Sequence, residues 1–154
     1  MRLMPLYAFF CCCLLLCAAP VLADQRNDPR EQALSDALDL WHEGRFEQLY
    51  DTLSHRSGMT RERFTQAMGE VTERPACCFT KLRNFRLISA GRTTAKVYAQ
   101  IGMEGGPGAD DSKSREFTLD HEEGRWKMRL TDIKALAGTG GAKRRTAHHR
   151  TYHH

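Results

Sequence analysis

The spacing of apolar side chains changes once along this chain, near Pro75. Before it, they recur every three or four positions. Ala33, Leu34, Ala37, Leu38, Leu40 and Trp41 share one stripe, the pattern of a helix with one face turned to a core. Asp28 supplies an N-cap, Pro29 suits the first helical position, and Glu31 completes an Asp-x-x-Glu capping box. Gly44 is a natural stop. A second short helix carries Phe46, Leu49, Tyr50 and Leu53 and ends in the polar run 54–58. Thr60 caps a third, with Phe64, Ala67, Met68 and Val71 at helical spacing, and Pro75 closes the region.

Beyond Pro75 the period becomes two. Phe79, Leu82, Phe85 and Leu87 predict a strand whose imperfect alternation implies a bulge near Arg83. Residues 94–103 alternate cleanly. Ala95, Val97, Ala99, Ile101 and Met103 face one way, and Lys96, Tyr98 and Gln100 the other. A Gly- and Asp-rich loop leads to Phe117, Leu119 and His121. After the turn at Gly124 come Trp126, Met128 and Leu130, alternating with Arg125, Lys127, Arg129 and Thr131. Helices followed by an antiparallel meander predict an α+β fold, with one sheet face covered and one wet.

The two ends of the chain stand apart from this pattern. Residues 1–23 begin with a basic Arg2, run through an uninterrupted apolar stretch and finish on Val21, Leu22 and Ala23 before Asp24. That is the form of a secretory signal peptide, cleaved near Ala23, so the protein is expected to be exported, to a periplasm or outside the cell. Its apolar core is shorter than the roughly 20 residues a bilayer span needs, and no transmembrane segment is expected in the mature chain. Residues 135–154 read as a flexible tail, first Gly-rich, then basic and His-rich. The domain is therefore expected over 24–134.

Removing the ends changes the charge and the cysteine count. The whole chain carries +4, yet residues 24–134 hold 18 Lys and Arg against 19 Asp and Glu. A near-neutral domain gives no electrostatic footprint for nucleic acid. Of six cysteines, only Cys77 and Cys78 lie outside the signal. Being adjacent, they cannot staple a loop. One is expected to be buried as a small apolar residue and the other exposed, with an interchain disulfide through Cys77 or Cys78, or redox or soft-metal chemistry, as the alternatives. In the tail, His148, His149, His153 and His154 are candidate ligands for copper, nickel or zinc.

The order of elements resembles the nuclear transport factor two-like superfamily over residues 29–133. The resemblance rests on Trp41 in the first helix, on the step Gly44, Phe46, Leu49, Tyr50, and on the closing Gly124, Arg125, Trp126, Lys127. It implies N-terminal helices packed in a curved antiparallel sheet of about four strands, a cystatin-like cone with a pocket at its wide end. Relatives of this kind include ketosteroid isomerases, dehydratases and polyketide cyclases beside non-catalytic binding modules, so the fold alone does not choose a function.

The expected function is an exported, non-catalytic module for a small apolar ligand or a protein partner, with no cofactor and with a homodimer through the wet sheet face as one arrangement. Trp41, Tyr50, Phe64, Trp126 and Met128 are candidate pocket-lining residues, although such spacings also build plain cores. The alternative is an isomerase- or dehydratase-like enzyme, which needs an acid or base in the cone. His121 and Asp132, each in phase with an apolar strand face, are its candidate catalytic residues. Metal handling by the His-rich tail is a third reading.

Overall fold

The computed structural model describes residues 28–106 and 111–139. Three helices open it: α1 (Pro29–His42), α2 (Phe46–Thr52) and α3 (Arg61–Gly69). A two-residue strand β1 (Arg74–Pro75) follows, then β2 (Leu82–Ala90), β3 (Thr94–Glu104), β4 (Ser112–Glu122) and β5 (Arg125–Met128), and a last helix α4 (Leu130–Leu136). The caps are those the residue types require. Asp28 accepts from the Arg30 N–H at 2.9 Å, and Thr60 Oγ1 from the Arg63 N–H at 3.4 Å.

The strands form one curled antiparallel sheet in the order β1-β3-β4-β5, with β2 also paired to β3. The fold is α+β, and among the described residues no helix is long and apolar enough to cross a membrane. The sheet's concave face is the alternating set already visible in the sequence. Ala95, Val97, Ala99, Ile101 and Met103 of β3, Phe117 and Leu119 of β4, and Met128 of β5 are all buried there. Against them pack Leu34, Leu38 and Trp41 of α1, Leu49 of α2, and Phe64 and Met68 of α3.

Two expectations change. The alternation through Trp126, Met128 and Leu130 does not continue as strand, because β5 ends at Met128 and α4 begins at Leu130. Leu130, Ile133 and Leu136 recur at helical spacing and are buried, so packed structure continues through Leu136. Phe79 is not on a strand either. It sits on a single 3-10 turn at Cys78–Thr80 and is 98% exposed. The irregularity expected near Arg83 is present as a register shift between Arg83 and Arg86, and a second lies between Leu87 and Ser89. Such shifts bend an edge strand and spoil it as a template for further pairing.

Gly102 is where the loop before β2 meets β3. Its carbonyl accepts from the Ala76 N–H at 2.8 Å, and its own N–H donates to the Lys81 carbonyl at 3.1 Å. A Cβ here would lie 2.3 Å from the backbone oxygen of Thr80, which cannot move without breaking that clamp. Gly102→Ala is therefore expected to cost at least the 1–3 kcal/mol typical of overpacking, about 2 kcal/mol or more, read as a lower urea midpoint. Gly69→Ala, with open space around its Cβ, is the control and should not lower it.

Candidate functional site

The groove best placed to take a ligand lies between the start of α1, the end of α2 and the β4–β5 turn. It has a volume of about 560 Å³ and is open to solvent. Pro29, Gln32, Ala33 and Asp36 form one wall, Asp51 and Thr52 a second, and Gly124, Arg125, Trp126 and Lys127 the third. That size falls within the range of small-molecule sites, and an apolar floor with a few polar groups at the rim is their usual make-up.

Local sequence builds each wall. Glu123 and Gly124 have φ of +53° and +76°, the two left-handed positions of a tight two-residue hairpin turn. This turn sets Trp126 opposite His121 and Lys127 opposite Asp120. Trp126 is held between two partners. The Arg30 guanidinium lies 5.7 Å from its ring centroid, and the His121 ring lies 5.0 Å away at a 55° tilt. Arg30 is itself fixed by Asp28, whose Oδ1 accepts from Arg30 Nε at 2.7 Å. Burial works to raise the Asp28 carboxyl, but its hydrogen bonds to the Arg30 side chain and backbone prevail and hold it below its ordinary value. The helix cap and the groove's aromatic wall therefore share one carboxylate.

Behind the hairpin, on the other face of the sheet, is a polar cluster. Asp120 accepts Arg129 Nε at 2.8 Å and Arg129 Nη2 at 2.9 Å, a bidentate pair. Ser54 Oγ donates to it at 2.8 Å and Thr94 Oγ1 at 3.2 Å. His55 Nε2 approaches within 3.2 Å from a left-handed backbone position, φ +51°. The hydrogen bonds from Arg129 hold the Asp120 carboxyl at about 2, against an opposing effect of burial, with Ser54 and Thr94 adding to the fall. Lys127, expected on the wet face, is buried, and its ammonium reaches Glu123 at 2.9 Å and Glu122 at 3.5 Å. Chemically, an Asp120 this well satisfied is a poor proton acceptor at neutral pH. The cluster is a clamp.

The residues singled out from sequence are dispersed. Trp126 lines the groove. Trp41, Phe64 and Met128 lie in the core. Tyr50 packs on Phe64 and lines a separate, shallower depression of about 800 Å³ beside Arg56 and Arg61, its hydroxyl donating to the Met59 carbonyl at 2.7 Å. His121 is exposed against Trp126. Asp132 is not on a strand but in the first turn of α4, where it accepts the Thr118 N–H at 2.6 Å. Burial raises its carboxyl above the ordinary value despite that hydrogen bond and the nearby charges of Arg115 and Arg129. Arg115 shares the concave side of β4 with Phe117, and its Nε is buried without a hydrogen-bond partner. Both Cys77 and Cys78 are exposed and free, so neither is buried as expected. His148, His149, His153 and His154 lie outside the described residues, and among the described residues no three of His, Cys, Asp and Glu gather as metal ligands.

The sequence pattern places Asp120 and Arg129 on the polar face of the sheet and His55 at the surface beside a helix end, and it gives none of Ser54, His55, Thr94, Asp120 and Arg129 a functional role. The one signal for them was the hairpin. A two-residue turn at Glu123 and Gly124 puts 120 beside 127 and 129, bringing an acid and an Arg together. No protein-family profile matches the chain, and a search of curated proteins also finds no match.

Asp120 gives a signed pH dependence. Its folded value, about 2, lies below the ordinary 3.8. The stability it contributes is therefore present above about pH 4 and lost as pH falls through about 2. Asp120→Asn is expected to destabilise by about 2 kcal/mol at neutral pH. Urea titrations of both proteins should show this gap closing toward about pH 2, and a gap that held constant with pH would assign the loss to packing instead. Asp132 works the other way: its raised carboxyl favours the protonated folded form and loses that stability as pH rises. In the same urea titrations Asp132→Asn is therefore expected to be the more stable protein at neutral pH, with the difference closing at low pH.

Proposed function

We propose that this chain is an exported binding module of the nuclear transport factor two-like kind, non-catalytic, taking a small, partly apolar ligand in the groove beside Trp126. The observation that supports this reading is the groove itself: about 560 Å³, floored by Pro29, Ala33 and Trp126, with carboxylates of Asp36 and Asp51 at its rim. Trp126 is pre-set by Arg30 and His121, so a ligand does not have to order it on binding, and that lowers the entropic cost of association. The leader-like residues 1–23 support export.

A second reading keeps an acid or base in the cone, and one observation favours it. Asp132 is partly buried with its carboxyl raised, and the Arg115 guanidinium is near enough to act on its charge. Carboxyls in such surroundings serve as general acids or bases. The competing use is structural, because Asp132 already accepts the Thr118 N–H.

Both readings meet in one experiment on the chain exported through its own leader. Native mass spectrometry of wild type is expected to show a small-molecule mass that denaturation removes. Ala33→Trp, which places a large side chain at the half-buried groove wall, is expected to lose that mass without a lower melting temperature. Retention of the same mass by Ala33→Trp would overturn the groove as the site. Turnover of an unsaturated ketone by wild type, lost in Asp132→Asn without a lower melting temperature, would transfer the function to the second reading.

A further inference from the structure

Cys77 and Cys78 stand on a loop that the fold holds at both ends. The chain enters it at Ala76, whose N–H donates to the Gly102 carbonyl at 2.8 Å, and leaves at Lys81, whose carbonyl accepts the Gly102 N–H at 3.1 Å. One residue of β3 therefore pins both sides of the thiol pair. Within the loop, Thr80 Oγ1 donates to the Cys77 carbonyl at 3.1 Å, which tightens the turn further. Cys78 takes a left-handed backbone conformation, φ +61°, a position that non-glycine side chains rarely adopt. In that conformation both sulfurs emerge on the same side. They lie 2.8 Å apart, and both residues are exposed. Beside them, Cys78, Phe79 and Lys81 edge a groove of about 200 Å³ shared with Gln32 and Ser35 of α1, and Phe79 stands 98% exposed.

We propose that Cys77 and Cys78 form a thiol–disulfide exchange site that closes into an intrachain disulfide by reaction with a low-molecular-weight disulfide. In the first step the thiolate of either cysteine attacks one sulfur of the small disulfide. The S–S bond breaks, one small thiolate leaves, and a mixed disulfide remains on that cysteine. The other cysteine then gives its proton to solvent and attacks the protein-bound sulfur of the mixed disulfide, expelling the second small thiolate. Two electrons pass to the small disulfide, which ends as two thiols, and Cys77 and Cys78 share a new S–S bond. The thiolate is the nucleophile in both steps, and the 2.8 Å separation of the sulfurs places the second beside the first.

The ring that forms is reversible by its own geometry. Neighbouring Cα atoms are about 3.8 Å apart across a trans peptide, closer than the roughly 4.4 Å lower limit of ordinary disulfides. Bonds strained in this way are the readily reduced ones. The pair thus suits exchange and not cross-linking between chains, because the second thiol is already in place when the first has reacted.

The test uses the reduced full-length protein with oxidised glutathione, followed by alkylation and tryptic mapping. The peptide 64–81 holds both cysteines and no other, because Arg74 precedes Pro75 and resists cleavage. It is expected two hydrogens lighter than its reduced form, unalkylated and free of glutathione, at a rate independent of protein concentration. Excess reduced glutathione should restore both thiols. Cys77→Ser and Cys78→Ser, at exposed positions and with unchanged melting temperatures, should each stop at a mixed disulfide on the remaining sulfur. A peptide carrying two glutathiones, peptides joined from two chains, an unreacted peptide, or a closed ring that glutathione does not reopen would each overturn the proposal.

Discussion

The Asp120 carboxylate gathers three stretches of the chain at one point: β4 itself, Arg129 just past β5 through a bidentate pair, and Ser54 from the first half. It lies where β5 ends, α4 begins, and the segment leaving α2 arrives. Ser54 donates its hydroxyl to the same carboxylate, while its N–H donates to Met128 and its carbonyl accepts from Leu130. A buried carboxylate costs several kcal/mol in lost hydration, and here the guanidinium and two hydroxyls offset that cost. The register makes this arrangement available. Alternation puts Leu119 and Met128 on the concave side and leaves Asp120 and Arg129 on the convex side, so the clamp uses no core space.

Much of the fold was legible because it follows from period alone. The stripe from Ala33 to Trp41 and the alternation from Ala95 to Met103 each match one buried face, and the caps at Asp28 and Thr60 were readable from residue type. Local pattern failed where tertiary contacts decide. Leu130 fits both a strand that continues Trp126 and Met128 and a helix with Ile133 and Leu136. The choice of helix satisfies two backbone donors, since Asp132 takes the Thr118 N–H and Ser54 the Leu130 N–H. Phe79 is a similar case. Its apolar side chain suggested a strand, but clamping of Ala76 and Lys81 to Gly102 forces a turn between them. Alternation also puts Lys127 on the wet face, although it is buried, because burial of a charge depends on partners that hydropathy does not record.

The candidate groove was legible only through Trp126, and the reason is geometric. Its walls come from three separated segments, 29–36, 51–52 and 124–127, none with a spacing of its own. Trp41, Phe64 and Phe117 are each under 2% exposed, so the space between helices and sheet near them is filled by side chains. The open volume lies instead at the rim, where α1 begins and the hairpin turns.

Inside a cone, selectivity comes from shape, since apolar walls discriminate only weakly between groups of similar size. At this rim the polar groups are charged and already engaged. Lys127 holds Glu123, Asp51 accepts Arg61 at 2.7 Å, and Asp36 accepts Gln32 at 2.6 Å. A ligand that replaces any of these contacts must match the hydrogen bonds it breaks. Selectivity in such a groove therefore favours molecules that lay an apolar surface against Ala33 and the Trp126 edge and leave the surrounding ion pairs closed.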